Sequence, residues 1–364
     1  MPGASQRRRT MKSVLFVSGR EVDYIRNRVL IAALRSRFHV TVLTSNAPNT
    51  LLRIVAGLGR TVLTRKDYDV VFVGFYGQPL AIALARLQGR PLVLDAYVST
   101  FETLCEDRQI VRSESILGRL AAWLDRRSAQ VASQVVTDTV ADAQYFHCRF
   151  GVPEDKITAI YVGCDDALFF PRSGRQVDDR IDVFYYGSFL PLQGIDTIIK
   201  AAAELGHYPR FHFTIGGSGM RYAQIKEMVD RLALVNVDLV GWIPFDELPA
   251  YIAQASICLG GHFSKGAKAA RVISTKTFQF LAMRKPTIVG ANAATAELFE
   301  DGRDVLAVPM GDPTALAQAI LRLGGDAELC AALADNGYAL FQDKLTTEAI
   351  AERLAAVLEK ALCV

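Results

Sequence analysis

The sequence predicts an α/β protein built from two Rossmann-like, doubly wound domains that face a cleft. Three observations carry that expectation. The chain has 364 residues, more than one typical domain holds. Short apolar runs alternate with amphipathic stretches of helical period, the pattern of a parallel sheet covered on both faces. The alternation pauses at a polar stretch and then starts again.

In the first run, Val14–Val17 is a short strand ending at Ser18-Gly19, and an amphipathic helix follows to about Arg37. His39–Leu43, Val70–Val73 and Leu92–Asp95 read as strands, with a helix at Gln78–Leu87. A helix at Ile116–Val131, a strand at Gln134–Thr137, a helix to Phe150 and a strand at Ile157–Tyr161 complete the domain, set at residues 11–172. Residues 173–180 are the expected linker. The second domain, residues 181–345, has strands at Val183–Tyr186, Phe211–Ile215, Val237–Val240, Ile257–Leu259, Thr287–Val289 and Val305–Val308. An amphipathic helix within residues 346–364 is expected to return to the first domain. Ligands of such sheets bind beyond the carboxyl ends of the strands, so two facing domains share one cleft.

Composition narrows the function. An apolar fraction of 51% and a charged fraction of 22% are ordinary for a globular chain, and no apolar run is long enough to span a membrane. Six scattered cysteines without a C-x-x-C pair fit a reduced, cytoplasmic chain and argue against zinc or a disulfide framework. Residues 1–66 hold thirteen Lys/Arg against Glu21 and Asp23, a net +11, while the rest holds 28 basic and 36 acidic residues, a net −8. Residues 1–10 read as a disordered basic tail, with Met11 the more natural start. The basic segment fits an anionic membrane surface, at the inner membrane face, or a phosphorylated acceptor; the competing reading is a solvated helix face carrying Arg26, Arg28, Arg35 and Arg37. No nucleic-acid recognition motif accompanies these arginines.

The richest stretch runs from Lys268 to Pro286. Ser274 or Thr275 is suited to cap a helix that reaches Met283, with Phe278, Leu281 and Ala282 on its apolar face. Its N-terminus, with Lys268, Arg271 and Lys276 around it, makes a site for a diphosphate. An ordinary amphipathic helix with solvated cations is the alternative. The Gly216–Gly219 turn is not the dinucleotide fingerprint, which disfavours a nicotinamide enzyme.

Several segments together resemble the GT-B fold retaining glycosyltransferases of the group 1, or family 4, type. They are Tyr186–Asp196, Val240-Gly241-Trp242-Ile243, Lys276–Ala282 with Lys285-Pro286, Asp301-Gly302, Gly311–Pro313, and Val162–Asp165 with Phe169 or Phe170 and then Pro171. The resemblance implies transfer of a sugar from a nucleotide-diphosphate sugar to a saccharide or lipid-linked acceptor, in glycan or polysaccharide synthesis, with the leaving phosphate helping to remove the acceptor proton. It implies no metal and no cofactor beyond the donor substrate, and no D-x-D triplet occurs. The donor side is expected to use Gly187, Ser188, Gln193, Trp242, Ile243, Lys268, Ser274, Thr275, Gln279 and Glu297, with Gly19 and Arg20 across the cleft. Asp95, Arg271 and Lys276 are the expected catalytic groups. Four family positions differ: its loop arginine and lysine are Ser188 and Gln193, and its two E-x7-E glutamates are Arg271 and Gln279. Two rival readings share the fold, a non-catalytic sugar-nucleotide binder and a sugar-nucleotide epimerase.

Overall fold

A computed structural model of the chain describes residues 11–43, 59, 68–174 and 179–363. The basic tail, residues 44–58 and 60–66 of the +11 segment, and residues 175–178 of the expected linker lie outside the described residues.

The first sheet consists of β1 (Ser13–Val17), β2 (His39–Leu43), β3 (Val70–Val73), β4 (Leu92–Asp95), β5 (Gln134–Thr137) and β6 (Ile157–Ala159). All pairs are parallel, in the order β2-β1-β3-β4-β5-β6. Around it lie α1 (Ile25–Arg37), α2 (Gln78–Gln88), α3 (Ile116–Val131) and α4 (Val140–Phe150). The second sheet holds β7 (Ile181–Tyr186), β8 (Phe211–Gly216), β9 (Val237–Gly241), β10 (Ile257–Leu259), β11 (Thr287–Ala291) and β12 (Leu306–Pro309), in the order β12-β11-β10-β7-β8-β9. Its helices are α5 (Ile195–Glu204), α6 (Tyr222–Arg231), α7 (Leu248–Gln254), α8 (Thr275–Ala282), α9 (Ala293–Leu298), α10 (Pro313–Gly325) and α11 (Ala327–Lys344). Central strands such as β3 and β10 are apolar throughout because helices cover both faces.

Strand order reverses between β1 and β3 in one sheet and between β7 and β10 in the other. Such switch points open a crevice at the carboxyl edge. Gly19 follows β1 there, and its N–H donates to the Phe75 carbonyl at 3.1 Å. A Cβ on Gly19 would lie 2.2 Å from the Tyr76 carbonyl oxygen, so only glycine fits this close approach.

The last helix, α12 (Thr347–Leu362), joins the first domain. Its Ile350, Leu354, Val357 and Leu358 share one apolar cluster with Phe16 of β1 and Leu30 of α1. Asp166 accepts from the Thr347 N–H at 2.9 Å and its hydroxyl at 2.7 Å, and Arg37 pairs with Glu348 and Glu352. The arginines of α1 are thus largely engaged within the molecule. Arg26 is fully buried, Arg28 pairs with Asp165 at 2.9 Å, and Arg37 holds α12. Among the described residues no helix is long and apolar enough to cross a membrane.

Candidate active site

A cleft of about 870 Å³ lies between the two carboxyl edges. Lys276 lines it. It occupies the first turn of α8, is only 4% exposed, and donates to the Ser274 hydroxyl at 2.6 Å and the Gln193 side-chain carbonyl at 2.8 Å. The ring of Tyr185 lies 4.9 Å from its ammonium. Burial pulls its pKa down to about 7, with no carboxylate to oppose it. Ser274 is the N-cap residue of α8, yet its side chain accepts from Lys276 rather than from the helix backbone. The first turn of α8 is left without a side-chain cap, and Ser274 and Thr275 both line the cleft. Gly187, at the end of β7, passes so close that a Cβ would sit 3.3 Å from Lys276 Cε.

Ser188, Gln193, Trp242, Ile243 and Lys268 also line the second-domain wall, and Arg20 lines the opposite one. Gly19 does not line the cleft; it supports the turn that carries Tyr76. Four other expected site residues lie elsewhere. The Arg271 guanidinium pairs with Glu102 and with Glu106 at 3.5 Å, and stacks 4.0 Å from the Tyr145 ring centroid. Its carbonyl accepts from the Thr139 hydroxyl at 2.6 Å. Arg271 therefore clasps the two domains together. Glu297 accepts from the N–H groups of Val140 and Ala141 at 2.7 and 2.9 Å, so it caps α4 from across the domain interface. Gln279 is fully buried in α8, outside the cleft, and its amide has no side-chain or backbone partner. Asp95 is buried away from the cleft against Arg26, with Nη2–Oδ1 at 2.9 Å. Burial raises the Asp95 pKa, and Arg26 works against that rise.

Lys268 is held at 3.3 Å by Glu102. Burial opposes its charge, but Glu102 and Asp142 outweigh burial and raise its pKa. His262 lines the cleft with its Nδ1 unpartnered; burial first, then Lys276 and Lys268, keeps its imidazole neutral. Among the described residues, no three or more His, Cys, Asp or Glu side chains group as a metal site would.

The first-domain wall holds groups that the sequence did not single out. Tyr24, Phe75, Tyr76 and Tyr97 form an aromatic cluster, with Tyr24–Phe75 centroids 4.4 Å apart and Phe75–Tyr97 5.2 Å apart. Asp138, immediately after β5, also lines the cleft. It is 2% exposed and its Oδ1 has no partner. Burial pushes its pKa up to about 7 against the pull of Arg26 and Lys268. Its position at a strand's carboxyl end was the available signal.

A model of glycosyl transferases group 1 matches residues 180–326, and a model of the glycosyl transferase 4-like domain matches residues 35–163. The chain belongs to the group 1 glycosyltransferases. This group 1 glycosyltransferase is 22% identical to the alpha-D-kanosaminyltransferase of Streptomyces kanamyceticus over 75% of its own length and 72% of that protein. It is 24% identical to the MMP alpha-(1->4)-mannosyltransferase of Mycolicibacterium hassiacum, over 85% of this chain and 73% of that one. Other curated relatives match over about half of their own length. Its two-domain GT-B fold is that of Anabaena HepE, solved in complex with UDP: TM-score 0.72 and 19% identity, covering 96% of this chain and 100% of that one. The glycosyltransferase thus keeps the family fold while its Arg271 faces a first-domain carboxylate and its Gln279 lies in the core.

Proposed function

We propose that this glycosyltransferase takes a sugar from a nucleoside-diphosphate sugar and transfers it, with retention, to a saccharide or lipid-linked acceptor. The observation that carries the reading is Lys276: a buried ammonium without a carboxylate, beside the uncapped start of α8 and a glycine that admits a ligand. A diphosphate supplies the missing negative charge. As the sugar C1–O bond to the diphosphate breaks and the new C1–O bond forms, negative charge grows on the leaving oxygen. Lys276 and the N-terminus of α8 stabilise it there, and the acceptor proton passes to the leaving phosphate. With these cations at the diphosphate, the proposal includes no metal.

The acceptor lies on the first-domain wall, where the aromatic cluster offers stacking faces for a sugar ring and Asp138 an unpartnered oxygen for a hydroxyl. Donors of this class are supported by HepE, which has been solved with UDP and with UDP-glucose. Asp95 and Arg271 take supporting roles: Asp95 fixes Arg26 beneath the acceptor wall, and Arg271 holds the domains together.

The test is turnover with a panel of nucleotide sugars and acceptors, in the presence of chelator, with NMR of the first-formed anomer. An α-linked sugar donor giving an α-linked product supports the reading. Binding without transfer or hydrolysis leaves a sugar-nucleotide binder, and donor isomerisation without acceptor leaves an epimerase.

A further inference from the structure

Five large apolar side chains of the first domain face solvent together in one stretch: Ile110, then Ile116, Leu117, Leu120 and Trp123 of α3. Each is more than half exposed, Ile116 most at 86%. Ile116, Leu120 and Trp123 follow helical spacing and share one stripe, with Leu117 beside it. The helix beneath them is firmly held. Asp125, on the inner face, accepts from the Ser99 hydroxyl at 2.7 Å and from the N–H groups of Thr100 and Phe101 at 3.0 and 2.8 Å. Ser115 caps the first turn through the Gly118 N–H at 3.1 Å.

Charge selects the occupant. Arg108, Arg112, Arg119 and Arg126 are exposed around the apolar stripe, and Glu114 is the one exposed acid from 108 to 127. A second copy docked face to face would set this cationic rim against itself, because a two-fold interface pairs a surface with its own image. An anionic bilayer accepts both parts: leucine and isoleucine enter the acyl boundary, arginines meet lipid phosphates, and tryptophan sits at the interface.

We infer that the outer face of α3, with the segment leading into it, docks the enzyme on an anionic phospholipid surface. The seat differs from the +11 segment, whose described arginines are largely engaged within the molecule. It also adjoins the cleft, since Thr103, Asp107 and Arg108 line the cleft and Ile110 lies two residues further on. A docked molecule therefore holds the acceptor wall close to the lipid. Only that last consequence rests on the proposed acceptor, and vesicle binding is read without donor or acceptor, so each can fail alone.

The test is flotation of the full chain with vesicles of phosphatidylglycerol and phosphatidylcholine, against phosphatidylcholine alone, at low and high salt. The expected result is binding to the anionic vesicles, weakened by salt, with a blue shift of tryptophan emission. Leu117→Ser with Leu120→Ser lowers partitioning on the order of tenfold. Trp123→Phe keeps most of the binding and loses the shift. Unchanged melting temperature and nucleoside-diphosphate binding show that these variants are folded. Three results would overturn the inference: full binding by the double variant, loss of binding on removing residues 1–10 alone, or self-association in place of vesicle binding.

Discussion

The ammonium of Lys276 meets the side-chain carbonyl of Gln193 across 2.8 Å, and the Tyr185 hydroxyl meets the same oxygen at 3.0 Å. Gln193 stands where the family carries a lysine on the loop after its first second-domain strand. Here the cation arrives at that spot from α8. On the proposed reading, this helix supplies the charge that the loop lacks. Removing Lys276 should therefore cost donor affinity without altering the fold. Lys276→Ala is expected to weaken nucleoside-diphosphate binding by about 2 kcal/mol, roughly thirtyfold, measured by calorimetry. Gln193→Lys added to that variant should recover much of the loss, and a pair that behaves additively would show that the two sites do not share the cation.

Binding should also take up a proton. The free Lys276 pKa is lowered to about 7 by burial. A bound diphosphate favours the ammonium and raises it. Between the free and bound pKa values the complex holds more protons than the free protein, so affinity falls as pH rises above about 7. Calorimetry in buffers of different ionisation enthalpy should show the uptake, and Lys276→Met should abolish it.

Glu102 holds both Lys268 and Arg271 from across the domain interface. Glu102→Ala leaves two largely buried cations facing each other without their shared carboxylate, a loss of about 3 kcal/mol. Thermal melting should register it, with a larger radius of gyration by X-ray scattering if the clasp sets domain closure. Arg271→Ala should follow the same pattern, with nucleoside-diphosphate affinity far less affected than by Lys276→Ala.

Asp138 offers a sharper distinction between acceptor and donor. Asp138→Ala should lower kcat/KM for the acceptor on the order of tenfold, one hydrogen bond's worth, while donor binding stays unchanged. Its folded pKa, near 7, lies above the ordinary aspartate value of 3.8. The folded state thus retains a proton that the unfolded chain releases, and stability is lost as pH rises from about 4 through 7. Asp138→Asn removes that loss, so the melting temperature of the variant should gain on the native protein between pH 5 and pH 8.

The alternation of elements was legible because each strand is a short apolar run ended by a turn residue. Ser18-Gly19 after β1 and Gly187 after β7 show where the carboxyl edges meet. Lys268, Ser274 and Lys276 were legible as a group because they are local in sequence. Arg271 was not, since its partner Glu102 lies 169 positions away and only the docking of two domains brings them together. Asp95 and Asp138 are alike in sequence, each an aspartate at a strand end. What separates them is Arg26, which turns inward from a helix whose arginines read as a solvated face and takes up both Asp95 oxygens. Spacing along the chain carries no trace of that choice.

The crossing of α12 bears on how the protein is made. Ile350, Leu354 and Leu358 fill the core around β1 and α1. During synthesis the first domain emerges early yet lacks one wall of its interior until the second domain has left the ribosome as well. Its nascent sheet waits with apolar surface bare, a natural client for chaperones. Premature termination anywhere in the second domain damages both domains, because the helix that seals the first follows the second along the chain.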